Sequence, residues 1–262
     1  MMSNPEVTIL LPNYKTPELT KLCCRLLNKF TPPGRMRLIA IDNDSGDASL
    51  EYLRSLSWIT LLERHDTAGE SAPAMHARAL DLGLSRVDTE FVMVMHTDTL
   101  VIDPQWLDFL LSRIRESPDI AGIGSWKLEQ VSPLKQFGKK IEDFFRRLAG
   151  KNVEHGDRYL RSHCALYRTD LVRRLTHGFD DGETAGRSLH RILVNEGYRM
   201  EFLPSAELGR YIRHLNHATS ILNPHEGSRR SSKPAAGRRL RGAMSMYSAI
   251  LNSPELDERK EL

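Results

Sequence analysis

The feature that most constrains this chain is the regular alternation, through its first half, of short continuously apolar runs with amphipathic segments. Val7–Leu11, "RLIAIDND" (Arg37–Asp44), "ITLLER" (Ile59–Arg64) and "FVMVMHTD" (Phe91–Asp98) read as buried strands. Between them Pro17–Phe30, "DASLEYLRSL" from Asp47, "SAPAMHARALDLGLS" from Ser71 and "DPQWLDFLLSRIRES" from Asp103 read as helices. Pro17 suits a first helical turn, Asp47 an N-cap, and Asp103-Pro104 an N-cap followed by the first helical position. Strands apolar on both faces and separated by helices imply a mostly parallel sheet covered on both sides. In such sheets ligands bind at the carboxyl ends of the strands. The polar residues collect there: Asn13-Tyr14, Asp42-Asn43-Asp44 and His96-Thr97-Asp98.

The pattern loosens after Ala121. "IAGIGSWKLE" and "SHCALYR" read as strands and "TDLVRRLTHG" as a helix; "AGRSLHRILVNEGYRMEFLP" reads as helix, turn at Gly197, then strand. The tail Ser228–Arg241 carries six basic residues and no acid, and reads as surface or partly disordered before a last short helix. The 262 residues suffice for one large domain, with 40% hydrophobic and 27% charged residues in the ordinary globular range. A net charge of +3 is too small to argue for nucleic acid, and none is expected as a partner. Cys23, Cys24 and Cys164 form no metal or disulfide spacing, so buried reduced thiols in a cytoplasmic protein are expected. No signal peptide or membrane-length apolar run is evident.

"PNYKTPE" after the first strand is neither GxGxxG nor GxxxxGK[ST], so a nucleotide here must be held by side chains at strand ends. "VTILLPNYKTPELTKLCCRLL", "IAIDNDSGDASLEYL", "FVMVMHTDTLV", "HGFDDGETAGRSLHRILVNEGYRMEFLP" and "YIRHLNHATS" together, over roughly residues 5 to 220, resemble family-2 glycosyltransferases of the GT-A fold, in the rhamnosyltransferase-like subgroup. The resemblance implies an α/β, Rossmann-like domain over 1–222, with a nucleotide-sugar-binding half (1–127) and an acceptor-side half (128–222). A basic, helical C-terminal extension (223–262) would follow.

The resemblance further implies a sugar transferred, with inversion, from a UDP-, dTDP- or GDP-sugar to a saccharide or lipid-linked acceptor in surface polysaccharide or glycan biosynthesis, by a hexosyl- or deoxyhexosyltransferase. Pro12, Asn13 and Tyr14 would line the nucleoside pocket, with Asp42 accepting a pyrimidine N–H and Asp44 nearby; read alone, "DNDSGD" is equally a polar turn. His96-Thr97-Asp98 falls on the family's acidic metal motif and keeps only its last carboxylate. Asp98 would thus help bind Mn²⁺ or Mg²⁺. His96, two residues away and on the same face of an extended strand, is either a ligand or pocket packing. His214 falls on a late family histidine that approaches diphosphate or metal, with His217, Thr219 and Ser220 behind it.

The base that takes the acceptor proton would come from Asp180, Asp181 or Glu183, although "DDGET" is equally a helix cap. Lys127 and Trp126 would floor the acceptor side; Arg161, His163 and Arg168 are either phosphate contacts or ordinary surface charge. The apolar stripe Phe137–Leu148 with its basic rim, within a basic helix 135–151, and the tail 228–241 fit peripheral contact with the inner membrane face, or a helix packed on its own domain. The rival readings are a catalytically degenerate GT-A domain serving as a nucleotide- or glycan-binding or regulatory partner, and a nucleotidyltransferase. The latter lacks its glycine-rich loop.

Overall fold

The computed structural model describes residues 4–65, 67–126, 158–182, 184–215, 218–223 and 234–259. Its central sheet has seven strands: β1 (Val7–Asn13), β2 (Met36–Asn43), β3 (Thr60–Arg64), β4 (Phe91–Met95), β6 (Ile120–Gly124), β7 (Cys164–Arg168) and β8 (Arg199–Phe202). They lie in the order β3-β2-β1-β4-β7-β6-β8. All run parallel except β7, which is antiparallel to both its neighbours. The sheet is therefore mostly parallel, as expected.

Alternation along the strands sorts the core into two layers. Val7, Ile9 and Leu11 of β1 and Phe91, Met93 and Met95 of β4 face one apolar cluster; Leu10, Val92 and Val94 face the other. Helices α1 (Pro17–Phe30), α2 (Ala48–Ser55) and α4 (Trp106–Ile114) cover the first face. Helices α3 (Ala72–Leu84), α5 (Thr169–Leu175) and α6 (Arg187–Asn195) cover the second. Every side chain of β4 is fully buried, and each large one contributes roughly 1.5–3 kcal/mol by leaving water. The three cysteines are free and buried in this core.

Three local expectations need correction. Helix α4 begins at Trp106, with Gln105 at its N-cap, two residues later than Asp103-Pro104 suggest. The Asp103 carboxylate instead accepts the Gln105 N–H in the preceding turn, at 2.8 Å. The fourth strand ends at Met95, and Thr99 N–H donates to His96 C=O at 3.0 Å, closing a turn over the His-Thr-Asp segment. The chain then enters β5 (Thr99–Val101), which pairs antiparallel with β9 (Ile212–His214) in a separate two-stranded sheet. Finally, the last helix starts within the basic stretch: Pro234–Met246 is helical, with Leu240 packed against Leu19 and Ala218.

The C-terminal segment is fastened to α1. The Arg25 side chain, 5% exposed, grips Asp257 through Nε–Oδ1 at 2.8 Å and Nη2–Oδ2 at 2.5 Å. Tyr52 donates to the same carboxylate, and Trp58 to the Asp257 carbonyl. Removing one member of such a pair leaves a buried charge without its counter-ion. Asp257→Ala should therefore cost about 3 kcal/mol, read as a lowered urea midpoint, and the arrangement described here is wrong if the midpoint does not move.

Candidate active site

At the carboxyl ends of β1, β2 and β4 lies a cavity of about 420 Å³. Its wall includes Pro12, Asn13, Tyr14, Asn43, His76, His96, Thr97, Asp98, Arg161, His163 and His214, together with Tyr159, Ser162, Thr184 and Ala185. Four of the ten histidines of the sequence thus meet there.

Pairing in the two sheets explains the meeting. The β5–β9 ladder sets Thr99 opposite His214, and Leu215 N–H donates to the Asp98 carbonyl at 2.9 Å. The β4–β7 ladder sets Met95 opposite Cys164, which delivers Ser162 and His163 to the same turn. Thr99 Oγ1 secures that approach by donating to His163 C=O at 2.8 Å. Beside it β6 and β7 run so close that a Cβ on Gly124 would stand 2.6 Å from the Cys164 carbonyl, which only glycine allows. His76 comes from the second turn of α3.

Asp98 is 2% exposed. One oxygen, Oδ2, accepts the Ala218 N–H at 3.2 Å. The other, Oδ1, lies 3.1 Å from His214 Nε2 and 3.8 Å from His96 Nδ1, yet takes no well-aligned hydrogen bond. Burial works to raise the Asp98 pKa, but the His214 and His96 imidazoles and the Ala218 N–H outweigh it and hold the carboxyl well below its ordinary range. Ligand atoms of His96, Asp98 and His214 lie within 4.8 Å of one another. An orphaned, ionised carboxylate oxygen facing two imidazoles is a donor set that fits a divalent cation.

The imidazoles are held in place. His96 Nε2 is 3.0 Å from Ser162 Oγ, and His163 Nε2 is 2.8 Å from Ser125 Oγ. His163 stacks on His214 with centroids 4.6 Å apart, and His76 meets His96 edge-on at 4.7 Å. Burial pushes His96 and His163 down to about 3 and His76 well below its ordinary value.

The other sequence-predicted residues divide. Pro12, Asn13, Tyr14 and Thr97 line the cavity; Asp42, Asp44, Asp180 and Asp181 are not among its wall residues. Asp42 is buried and accepts from Asn13 Nδ2 and Ser45 Oγ, both at 2.6 Å, and from Ser45 N–H at 2.9 Å. Asp44 is exposed in the following turn with φ of 59°. Asp180 pairs with Arg78, and Asp181 accepts the N–H groups of Thr184 and Ser188 at the start of α6. Their loop is anchored by Asp81, which accepts from Phe179 and Asp180 N–H, so that Thr184 and Ala185 reach the cavity wall.

Arg168 caps carbonyls of Ile114, Ser117 and Ile120, whereas Arg161 lines the cavity. The Arg161 guanidinium lies over the Trp126 and Tyr159 rings at 5.2 and 5.0 Å. Lys127, Glu183, His217, the segment 135–151 expected to be a basic helix and the tail at 228–233 lie outside the described residues, as do the side chains of Thr219 and Ser220. Sequence reasoning missed His76 and Ser162. Neither carries a local signal: His76 sits in an ordinary amphipathic helix, and Ser162 gains meaning only when the fold sets its Oγ 3.0 Å from His96 Nε2.

A family model for glycosyl transferase family 2 matches residues 8–176. The chain belongs to that family. It is a glycosyltransferase of the GT-A fold. No curated protein matches the sequence. Among solved structures, the glycosyltransferase is similar to mannosyltransferase PcManGT from Pyrobaculum calidifontis, solved with GDP-Man and Mn²⁺. The two share 17% identity and a TM-score of 0.57 over 94% of this chain and 76% of that one. It is also similar to S. aureus TarS 1-349, at 15% identity and a TM-score of 0.51 over 76% of this chain and 58% of that one.

Burial of neutral imidazoles has a pH consequence. His163 and His190 are pushed down to about 3 and about 4, both chiefly by burial. Each binds a proton more readily unfolded than folded, so the stability they give is complete above about pH 6.5 and falls as pH drops towards their folded values. Chelator-treated protein should lose about 1.4 kcal/mol per pH unit for each such group between those limits. Urea midpoints at pH 7, 6 and 5 read this slope, and His190→Gln should flatten it; a midpoint indifferent to pH below 6.5 would contradict the assignment.

Proposed function

We propose that this glycosyltransferase moves a hexosyl or deoxyhexosyl group, with inversion, from a nucleoside diphosphate sugar to a saccharide or lipid-linked acceptor in surface glycan synthesis. The observation that carries the reading is the meeting of His96, Asp98 and His214 in one cavity at the carboxyl ends of the parallel strands. The PcManGT structure, holding GDP-Man and Mn²⁺, is consistent with such use of the fold.

In this reading the nucleoside lies against Pro12, Asn13 and Tyr14, with Asp42, Asp44 and Thr97 shaping that end. Asp42 would act on the base through Asn13, or directly if its present donors exchange. Asn43 joins the group: it lines the cavity and Arg64 donates to its Oδ1 at 2.7 Å. His96, Asp98 and His214 would hold Mn²⁺ or Mg²⁺, which when bound neutralises the diphosphate. Arg161 adds a fixed positive charge at the same wall.

We assign the base to the segment carrying Asp180, Asp181 and Glu183. Its carboxylate accepts the proton as the acceptor oxygen bonds to the anomeric carbon and the sugar–phosphate bond breaks. Lys127, with Trp126, belongs to the acceptor side. Placement in the cytoplasm, with membrane contact through 135–151 and 228–241, completes the reading; among the described residues no helix is long and apolar enough to cross a membrane. The degenerate, binding-only reading draws on Asp181, whose two oxygens accept the N–H groups of Thr184 and Ser188.

A panel of UDP-, GDP- and dTDP-sugars with Mn²⁺ separates the two: transfer or slow hydrolysis supports the enzyme, binding without turnover for any acceptor supports the rival. Asp98→Ala should abolish cation-dependent donor binding in calorimetry while the circular dichroism spectrum is kept. Unchanged binding would remove Asp98 from the site.

A further inference from the structure

The cluster at the His-Thr-Asp turn has more nitrogen in it than a magnesium site needs. Resting on the reading that this cavity holds a cation, we propose that it is built for an imidazole-seeking transition-metal ion such as Co²⁺ or Zn²⁺, selects against Mg²⁺, and is formed before the nucleotide arrives.

The donor set is two imidazole nitrogens and one carboxylate oxygen. The carboxylate has one oxygen to offer, because Oδ2 accepts the Ala218 N–H while Oδ1 faces the rings. Magnesium demands near-ideal octahedral oxygen coordination and retains its waters. Imidazole suits zinc, copper, iron and nickel, and affinity for such sites rises from manganese to copper. Two nitrogens against one monodentate oxygen therefore favour the transition metals by their chemistry alone.

Preorganisation follows from the packing around the rings. Ser162 Oγ, 3.0 Å from His96 Nε2, anchors that ring nitrogen, while Nδ1 lies 3.8 Å from Asp98 Oδ1. In the tautomer that donates Nε2–H to the serine, Nδ1 keeps its lone pair for a cation, the arrangement that second-layer partners of metal-bound histidines commonly support. His214 is held flat by the stacked His163 ring, itself tied to Ser125, and His76 closes the other side of His96 at 4.7 Å. All of these contacts are made by groups of the chain itself. The competing arrangement is a His214–Asp98 ion pair with no cation, the two atoms being 3.1 Å apart, and the titration below separates the two.

The full chain, stripped with chelator, is titrated with CoCl₂ without nucleotide while the visible d–d bands are recorded, then challenged with ZnCl₂ and MgCl₂. Cobalt bands should appear, Zn²⁺ should erase them, and Mg²⁺ in roughly thousand-fold excess should not. Ser162→Ala should weaken Co²⁺ about 10–100-fold, and His96→Asp should let Mg²⁺ compete, each variant being checked for an unchanged circular dichroism spectrum. Displacement of Co²⁺ by Mg²⁺ at comparable concentration overturns the selectivity while leaving a cation site in place. Cation binding only after UDP or GDP is added overturns the preformed site. Failure of every cation to bind, with or without UDP or GDP, overturns both this proposal and the cation reading beneath it.

Discussion

One ionised carboxylate with almost no contact with water dictates the arrangement of this cavity. An isolated buried charge is expensive, and a protein keeps one only where donors or positive groups meet it. Asp98 receives an N–H from Ala218 and faces the imidazoles of His96 and His214. The residues that meet it are 120 positions away in the case of Ala218, so the charge is tolerable only after the late part of the chain has folded over the turn. The two-stranded β5–β9 sheet is the device that brings this about, since its register puts His214 next to the turn.

The large sheet supplies the rigid floor. Its parallel strands end together, and at the end of β1 Asn13 ties the layer sideways: its amide donates to Asp42, Ser45 and Ser49 and accepts from Thr20 and Thr16. Thr16 Oγ1 is 3.2 Å from Thr97 Oγ1, so the same network reaches the His-Thr-Asp turn. Buried networks of this kind are stable only when every member is satisfied, which makes the geometry of the strand ends a property of the whole set. The antiparallel β7 then inserts beside β4 and presents Ser162 and His163 from the opposite chain direction.

Much of this was legible in the sequence because buried parallel strands leave a pattern that needs no partner to be recognised. Val7–Leu11 and Phe91–Met95 are apolar on both faces and duly lie between helices. The His96–Asp98 pair was visible as two polar groups at the end of such a strand, although a turn, and not strand alternation, brings them together. What could not be read were partnerships set by distant register. His163 joined the cluster through the β4–β7 pairing and His76 through the seat of α3 on the sheet. The start of the last helix within the basic stretch was hidden for the same reason: nothing in "PAAGRRLR" says that Leu240 has Leu19 and Ala218 to pack against. The strand-end carboxylate Asp42 looked outward in sequence because its buried donors, Asn13 and Ser45, cannot be foreseen without the fold.

The charge balance of the cavity gives a reason for so many imidazoles. Its wall carries one ionised carboxylate, one guanidinium and four histidines, three of which burial keeps neutral. A second carboxylate in the place of His96 would stand within a few ångströms of Asp98, and two like charges so close in a buried site raise each other's pKa. Imidazole avoids that repulsion while still offering a lone pair. The cost is that the single carboxylate, itself offset by the Arg161 guanidinium, would leave the charge of a divalent cation largely uncompensated. In the proposed function a nucleoside diphosphate would remove that excess with its own negative charge, and the imidazole that spares Asp98 its repulsion would make diphosphate binding more dependent on the cation.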